Sequence, residues 1–295
     1  MKEFIVTEVT DLSSLLKLNR SFTSPFIYRG QTNFDWNLCT SLERAILNFS
    51  KYAPQKWGFE TEEKWMLHEF IEKYPLYGQI MPKQTDYFEW LAIMQHFGAP
   101  TRLLDFSKSL FIALFFSINE ASTDSCVWAI NRYQLRDNLI GSCGLEYEKG
   151  YTLKDEVNNI HIELANKHIT HRATEDGIVK TVVPLEPKIA TERLARQQGI
   201  FLMPLNTWYS FHDNLIGAFD VSDISFHDER FEDIIEYANK NSYNNGGIKI
   251  MKIKIPYKLH LDFLFGLKQM NITAETLFPG LGGLAQSLLN SHIRL

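Results

Sequence analysis

The stretch with the most side chains capable of chemistry covers residues 95–107, Gln-His-Phe-Gly-Ala-Pro-Thr-Arg-Leu-Leu-Asp-Phe-Ser. Its reactive members are His96, Thr101, Arg102 and Asp105. A histidine exchanges a proton near neutral pH, an arginine binds phosphates and carboxylates, and a carboxylate takes up a proton or stabilises positive charge. The glycine and the proline within the run indicate a turn, where binding and catalytic residues often lie. The alternative is a structural ion pair between Arg102 and Asp105 that fixes a loop to the core.

Two apolar segments flank this stretch and are predicted to hold it in place. Residues 86–97 have apolar side chains at helical spacing, and the glycine and proline that follow predict the end of that helix. Residues 110–121 are apolar on nearly every side, which predicts a helix buried at the centre of the fold. A turn between two rigid, buried elements is the setting that a preorganised site requires.

Two further stretches carry side chains suited to anions. The run Tyr28-Arg29-Gly30-Gln31 is predicted to end a buried strand at a bend. An arginine followed by a glycine that admits a ligand to the backbone suits phosphate recognition, and a salt-bridged structural arginine is the alternative. Residues 191–199 are predicted as a short helix before a strand, and form either a second candidate site or a solvated helix face. The polar residues of that helix are Arg193, Arg196, Gln197 and Gln198.

The composition is that of a globular protein. The chain has 295 residues, of which 45% are hydrophobic and 22% charged, enough to bury a sizeable core. No linker or repeat divides it, so we expect one domain over residues 1–295. Within it we expect an N-terminal strand and helix in residues 1–20 and a core over about 20–290. The net charge is −5 and no basic run occurs, which disfavours general nucleic-acid binding but allows a local basic pocket.

Cysteine and histidine spacing argues against the common metal and disulfide frameworks. The cysteines are Cys39, Cys126 and Cys143, an odd number at wide spacing. His161, His168 and His171 lack the spacing of a helical zinc site, so no metal is predicted. The longest apolar run, residues 110–118, is about half as long as a membrane span requires, and residues 1–9 show no signal peptide. We therefore predict a cytoplasmic protein without a membrane partner.

The pattern of apolar residues predicts alternating strands and helices. Strands are predicted at residues 3–8, 26–31, 126–130, 178–185, 200–203 and 247–255, and a short strand or an extended turn at 101–106. Helices are predicted at residues 12–18, 40–49, 61–74, 86–97, 110–121, 153–171, 191–199, 231–241, 256–270 and 284–293. Irregular structure is predicted at residues 131–150, and a tight connection at 271–280. This is an α+β pattern, and we expect mixed or antiparallel sheets with helices packed around them.

Four of these stretches together resemble the FRG family, which is named for a Phe/Tyr-Arg-Gly signature. The signature corresponds to Tyr-Arg-Gly-Gln at residues 28–31. The family's run Gln-His-Tyr/Phe-Gly-x-Pro-Thr-Arg-Leu-Leu-Asp-Trp/Phe matches residues 95–106 closely. The elements Gln-Gln-Gly-x-Phe and Leu-Phe-Pro-x-Leu-x-Gly-Leu match residues 197–201 and 277–284. The resemblance covers roughly residues 20–290, and its central run is the most specific part.

At the level of the fold, the order of these elements is similar to that of ADP-ribosyltransferases, in which an early Arg or His holds NAD and a late Glu or Gln orients the ribose or the nucleophile. The resemblance implies an NAD-dependent enzyme that transfers ADP-ribose to a nucleic acid or a protein. It also implies a toxin or antiphage defence effector with an antitoxin or regulatory protein as a partner. The catalytic residues that it implies are Arg29, His96, Asp105, Gln198 and Glu275. The NAD-binding residues that it implies are Tyr28, Arg29, Gly30, Gln31, Thr101, Arg102 and Phe106. Arg29, Arg102 and Gln198 are therefore expected to meet in one cleft.

The chemistry of NAD suits these residue types. Charge-assisted bonds from Arg29 or Arg102 would hold its pyrophosphate. A carboxylate, Asp105 or Glu275, would stabilise the positive charge that develops when the glycosidic bond breaks. The aromatic side chains expected to stack on nicotinamide or adenine are Tyr28, Phe97 and Phe106. One departure from the family is glycine at positions 280 and 282, where an acidic residue is expected, and this weakens a catalytic role for that turn.

Two other functions fit the same residues. In a metal-independent nuclease, His96 would be the acid and base, Arg102 would hold the phosphate and Asp105 would orient His96. The third possibility is a non-catalytic module that binds a nucleotide or a partner. NAD consumption, nucleic-acid cleavage without NAD, and binding without turnover distinguish the three.

Overall fold

A computed structural model of the chain describes residues 3–22, 25–49, 60–78, 81–145, 154–170, 179–189, 191–240 and 247–292. Its strands are β1 (Phe4–Glu8), β2 (Phe26–Gln31), β3 (Leu104–Ser107), β4 (Ser125–Asn131), β5 (Val182–Leu185), β6 (Gly199–Pro204), β7 (His227–Asp228) and β8 (Ile250–Ile255). They form one eight-stranded sheet in the order β5-β6-β3-β2-β4-β8-β1-β7. Strand β1 is parallel to β7 and β8, and the other neighbours are antiparallel. The expected α+β class with a mixed sheet is confirmed.

The helices surround this sheet. They are α1 (Leu12–Ser21), α2 (Ser41–Phe49), α3 (Glu60–Lys73), α4 (Tyr87–His96), α5 (Leu110–Ile118), α6 (Arg132–Cys143), α7 (Lys154–Thr170), α8 (Glu192–Arg196), α9 (Phe211–Ala218), α10 (Phe231–Lys240), α11 (His260–Gln269), α12 (Ala274–Leu277) and α13 (Leu281–His292). Several helices begin with a side-chain cap. The cap accepts hydrogen bonds from backbone N–H groups that have no partner within the first turn. The caps at α5 and α8 are the hydroxyls of Ser109 and Thr191, which accept hydrogen bonds from the backbone N–H of the third residue beyond.

The sequence pattern was wrong in two places. Residues 132–143, predicted to be irregular, form α6, and its cap Asn131 accepts hydrogen bonds from the backbone N–H of Tyr133 and Gln134. The helix α12 lies within the predicted tight connection, where the side chains of Thr273 and Thr276 make a reciprocal capping box. Apolar periodicity, the signal used to predict helices, is weak in α6 beyond Leu135 and Leu139, and α12 has only four residues. His171 and the first residue of the strand predicted at 178–185 lie outside the described residues.

Helix α5 is buried at the centre, as its sequence predicted. It packs on β2 and β4, and Gly30 of β2 lies directly beneath it. A β-carbon at this position would lie 2.1 Å from the carbonyl oxygen of Ala113 and 2.5 Å from the backbone nitrogen of Ser117. The close approach of the α5 backbone, which the sequence did not indicate, therefore requires the glycine.

Substitution of Gly30 tests this packing. Gly30→Ala is expected to destabilise the fold by about 1–3 kcal/mol, because helix and strand must separate to admit a methyl group. The matched control is Gly141→Ala in α6, where a β-carbon meets no atom within 4 Å. That change is expected to be neutral or to stabilise the helix by up to about 1 kcal/mol. Urea unfolding of both variants measures the difference, and equal midpoints would contradict the close approach of α5.

Candidate functional site

A cleft opens where β2 and β3 separate. The two strands pair with Tyr28 opposite Ser107, and beyond this pair the guanidinium of Arg29 spans the gap. Its Nη1 donates a hydrogen bond of 2.7 Å to the backbone oxygen of Asp105. The cavity has a volume of about 310 Å³, at the lower end of the range for small-molecule sites. The predicted site residues in its walls are Tyr28, Arg29, Gly30, His96, Asp105 and Phe106.

Arg29 is the principal cation of the cleft. Its Nε is buried and has no hydrogen-bond partner among the described residues. Burial lowers the pKa of Arg29 from its usual value, and the Asp105 carboxylate opposes this change, so the guanidinium stays charged. A charged guanidinium in a cleft wall suits an anionic ligand, which binds it through charge-assisted hydrogen bonds.

Asp105 supplies the carboxylate of the cleft. It is exposed on β3, and its Oδ2 accepts a hydrogen bond of 2.7 Å from Nε2 of Gln95 at the end of α4. Among the residues that the structure describes in the cleft walls, Asp105 is the only one with an acidic side chain. Gln95 carried no assigned role in the sequence prediction, although it begins the central motif. A carboxylate beside a bound sugar can stabilise positive charge on the ring.

His96 and Tyr28 supply groups that are neutral at pH 7. Burial lowers the pKa of His96 below its usual value, and the positive charge of Arg193 lowers it further. Burial raises the pKa of Tyr28 above its usual value. The imidazole can therefore accept a proton, and the phenol stays protonated. The cleft thus combines a fixed cation, a carboxylate, a base and a phenol.

Helix α8 forms another wall of the cleft, and the last motif supports it from behind. Gln197 lines the cleft, and its Nε2 donates to the backbone oxygen of Leu277 at 3.2 Å. The ring of Phe278 lies between Phe116, with centroids 5.8 Å apart, and the guanidinium of Arg193 at 5.1 Å. Leu277 and Phe278 of the last motif therefore hold Gln197 and Arg193 in place, which the sequence did not indicate.

Gln197, the residue that follows α8, is the glutamine that lines the cleft. Gln198, predicted to be catalytic, is exposed with φ of 48°, and this left-handed backbone sits at the end of α8. Its backbone oxygen accepts a hydrogen bond from Lys108 N at 3.0 Å. Glu275, the other predicted late catalytic residue, is exposed in the first turn of α12 and is not among the residues that line the cleft.

Arg102 lies in the core instead of the cleft. Its side chain is 2% exposed and forms a salt bridge with Glu63, which is fully buried on α3. Oε1 of Glu63 also accepts a hydrogen bond of 3.0 Å from the backbone nitrogen of Arg102. The expected meeting of Arg29, Arg102 and Gln198 in one cleft does not occur, because Glu63 holds this guanidinium inside. The alternative of an ion pair between Arg102 and Asp105 is also corrected, since the partner is Glu63.

The other predicted NAD-binding residues have structural partners. Oε1 of Gln31 accepts a hydrogen bond of 2.6 Å from the indole N–H of Trp128, which leaves this amide outside the cleft walls. Thr101 is fully buried, and its hydroxyl donates to Gln95 Oε1. Phe97, expected to stack on a base, is 70% exposed and lines a second, more apolar groove. Gln31, Thr101 and Phe97 therefore lie outside the walls of the cleft.

Pro187 and Ile189 also line the cleft, and a buried carboxylate holds this segment. Glu89 of α4 accepts hydrogen bonds from the backbone nitrogens of Lys188 at 2.7 Å and Ile189 at 3.3 Å. Burial raises the pKa of Glu89, and the two backbone bonds oppose this. On β5, just before this wall, the carbonyl of Pro184 accepts a hydrogen bond of 3.0 Å from Nδ1 of His161. Glu89 therefore links this wall to α4, and His161 links the strand before it to α7.

The burial of His161 predicts a pH dependence of stability. Burial lowers its pKa from 6.5 to about 4, so the unfolded chain binds a proton before the folded chain does. Stability from this group is therefore complete above pH 6.5 and is lost as the pH falls towards 4, by roughly 3 kcal/mol. His161→Gln is expected to show a flatter decline in unfolding free energy between these pH values. Parallel curves for variant and wild type would contradict this burial.

Among the described residues, no cluster of histidine, cysteine, aspartate and glutamate side chains could hold a metal ion. None of the described helices is both long enough and apolar enough to span a membrane. Comparison with known families matches residues 24–126 to the FRG domain. No curated protein and no solved structure matches the chain. The match contains the Tyr-Arg-Gly-Gln signature and the run at residues 95–106, which provide Arg29, Gln95, His96 and Asp105, so residues 24–126 of this chain are an FRG domain.

Proposed function

We propose that this protein is an NAD-dependent ADP-ribosyltransferase that modifies a macromolecule. The observation that carries the proposal is the guanidinium of Arg29, which lies on a central strand in the wall of a cleft and bonds the backbone oxygen of Asp105 through Nη1. A pyrophosphate offers the oxygens that such a group binds through charge-assisted bonds. Arg193 supplies a second cation in the wall, in place of Arg102.

The reaction that suits these groups is transfer at C1′ of the nicotinamide ribose. The bond from C1′ to the nicotinamide nitrogen breaks, and its electron pair stays with that nitrogen and neutralises the pyridinium ring. The carboxylate of Asp105 stabilises the positive charge that develops on the ribose. A nucleophilic atom of the acceptor then forms the new bond to C1′ and gives its proton to His96, the neutral base of the cleft.

The proposal extends to the acceptor and the setting. The acceptor is a nucleic acid or a protein, and the protein acts as a toxin or antiphage effector that an antitoxin or regulatory protein restrains. We place this activity in the cytoplasm, and the free thiols support a reducing setting. The free thiols are those of Cys39, Cys126 and Cys143.

The nuclease alternative has less support. It needs His96, Arg102 and Asp105 at one phosphate, and the salt bridge with Glu63 keeps Arg102 in the core. A non-catalytic nucleotide-binding module fits the same cleft as the transferase and differs only in turnover. The experiment below therefore measures both NAD consumption and label transfer.

The test is incubation of the purified protein with NAD labelled in the adenine half, together with mixed cellular protein, RNA or DNA as acceptors. Release of nicotinamide and appearance of the label on one acceptor class by mass spectrometry is the expected result. Binding of NAD without release of nicotinamide would identify a non-catalytic module. Cleavage of nucleic acid in the absence of NAD would identify a nuclease. Either of these two results would overturn the proposal.

A further inference from the structure

We propose that Gln95 is a positioning residue, which turns the carboxylate of Asp105 towards the cleft and is itself oriented by the buried hydroxyl of Thr101. This inference rests on the proposed transferase function and deepens it, because it assigns to the central motif the task of orienting one carboxylate. The residues form a line from the core to the cleft. They are Ser41, Thr101, Gln95 and Asp105.

The line begins with a fixed backbone. The hydroxyl of Ser41 accepts a hydrogen bond of 3.0 Å from the backbone nitrogen of Thr101 and donates one of 3.1 Å to its backbone oxygen. Thr101 is fully buried, and its Oγ1 accepts a further bond of 3.2 Å from the backbone nitrogen of Leu103. The hydroxyl hydrogen of Thr101 is therefore left for Gln95.

This hydroxyl decides which way the Gln95 amide faces. Oε1 of Gln95 accepts from Thr101, so its Nε2 points at Asp105, where it donates the 2.7 Å bond to Oδ2. The reversed amide would set an oxygen against a carboxylate oxygen, and two acceptors repel. Only one orientation of the Gln95 amide therefore gives a partner both to its oxygen and to its nitrogen.

The geometry leaves one oxygen of Asp105 for a substrate. Oδ2 is held by Gln95, and Oδ1 has no hydrogen-bond partner among the described residues. In the described contacts Arg29 bonds the backbone oxygen of Asp105 and not its carboxylate, so this hydrogen bond leaves Oδ1 available to a substrate. A neutral amide donor orients a carboxylate without cancelling its charge, as stabilisation of a cationic sugar requires.

Four variants test this inference in steady-state assays with NAD. Gln95→Leu removes the donor, and we expect kcat to fall about 10- to 100-fold, as for other supporting hydrogen bonds, with KM for NAD within about twofold. Gln95→Glu places a second carboxylate beside Asp105, which opposes its ionisation, so the acid limb of the pH–rate profile moves to higher pH. Thr101→Val lowers kcat in the same direction as Gln95→Leu. Thr101→Ser keeps the hydroxyl and retains wild-type kcat.

The test also measures, by calorimetry, the melting temperature of each of the four variants and its affinity for NAD. A Gln95→Leu protein with wild-type kcat would overturn the inference, as would an unshifted acid limb in Gln95→Glu. Should Gln95→Leu fail to fold, Gln95→Glu and the comparison of Thr101→Val with Thr101→Ser decide in the same way. A wild-type protein that binds NAD without releasing nicotinamide overturns the proposed function and this inference together. If the wild-type protein turns over NAD and the Gln95 variants keep its kcat, this inference alone is overturned.

Discussion

Arg29→Ala is expected to lower kcat/KM for NAD by about 100-fold or more, the size of effect seen when one group that stabilises charge is removed from an active site. We expect this effect because Arg29 is the cation on the central strand in the wall of the cleft. The affinity for NAD should fall as well, since the pyrophosphate loses its charge-assisted bonds. Nicotinamide release and calorimetric titration with NAD measure the two effects.

Two further variants separate charge from geometry. Arg29→Lys keeps a positive charge but replaces the planar fork by a compact ammonium, and we expect it to restore only part of the activity. Arg136→Ala, on the surface of α6, removes an arginine paired with Asp137 and should leave the binding of NAD unchanged. An Arg29→Ala protein with an unchanged melting temperature and full turnover would contradict the assignment of the anion site.

Arg102→Ala is expected to lower the free energy of unfolding by about 3–5 kcal/mol, because the carboxylate of Glu63 is left buried and unpaired. The double variant Arg102→Met with Glu63→Gln removes both charges and keeps an oxygen for the backbone N–H of Arg102. We expect this pair of changes to recover most of the loss. Urea unfolding of the single and double variants gives the comparison.

The double variant also separates a structural role from a ligand-binding role. If Arg102 acts only in the core, the double variant should bind NAD with wild-type affinity once it is folded. Loss of NAD binding in a stable double variant would mean that this guanidinium reaches the ligand, contrary to its 2% exposure.

Local pattern was sufficient for most elements of the fold. Strand β2 and helix α5 were predicted correctly in kind and place, because a run of apolar residues bounded by turn residues is a strong signal. Helix α6 was missed, because it has little apolar periodicity and is stabilised by its Asn131 cap and by packing on β5. The single-domain expectation for residues 1–295 stays a prediction, since the family match covers residues 24–126.

For the candidate site too, part could be predicted from the sequence and part depended on contacts in the fold. Arg29, His96 and Asp105 were singled out from their residue types, and the fold gathers them in one cleft. The roles of Gln95 and Gln197 were not assigned, because an amide shows its function only through the atoms it bonds, here Asp105 and the backbone of residue 277.

The sequence by itself determined the α+β class, the central motif and the residue types from which a site could be built. Only the tertiary structure decided which arginine serves the cleft. Arg29 and Arg102 both lie in FRG motifs and have the same chemistry, but Glu63 is 39 residues before Arg102 and neutralises it in the core. Burial and pairing depend on contacts between distant parts of the chain. In the proposed function, residues 95–107 present Asp105 instead of binding the anion, and Arg29 on the neighbouring strand binds it.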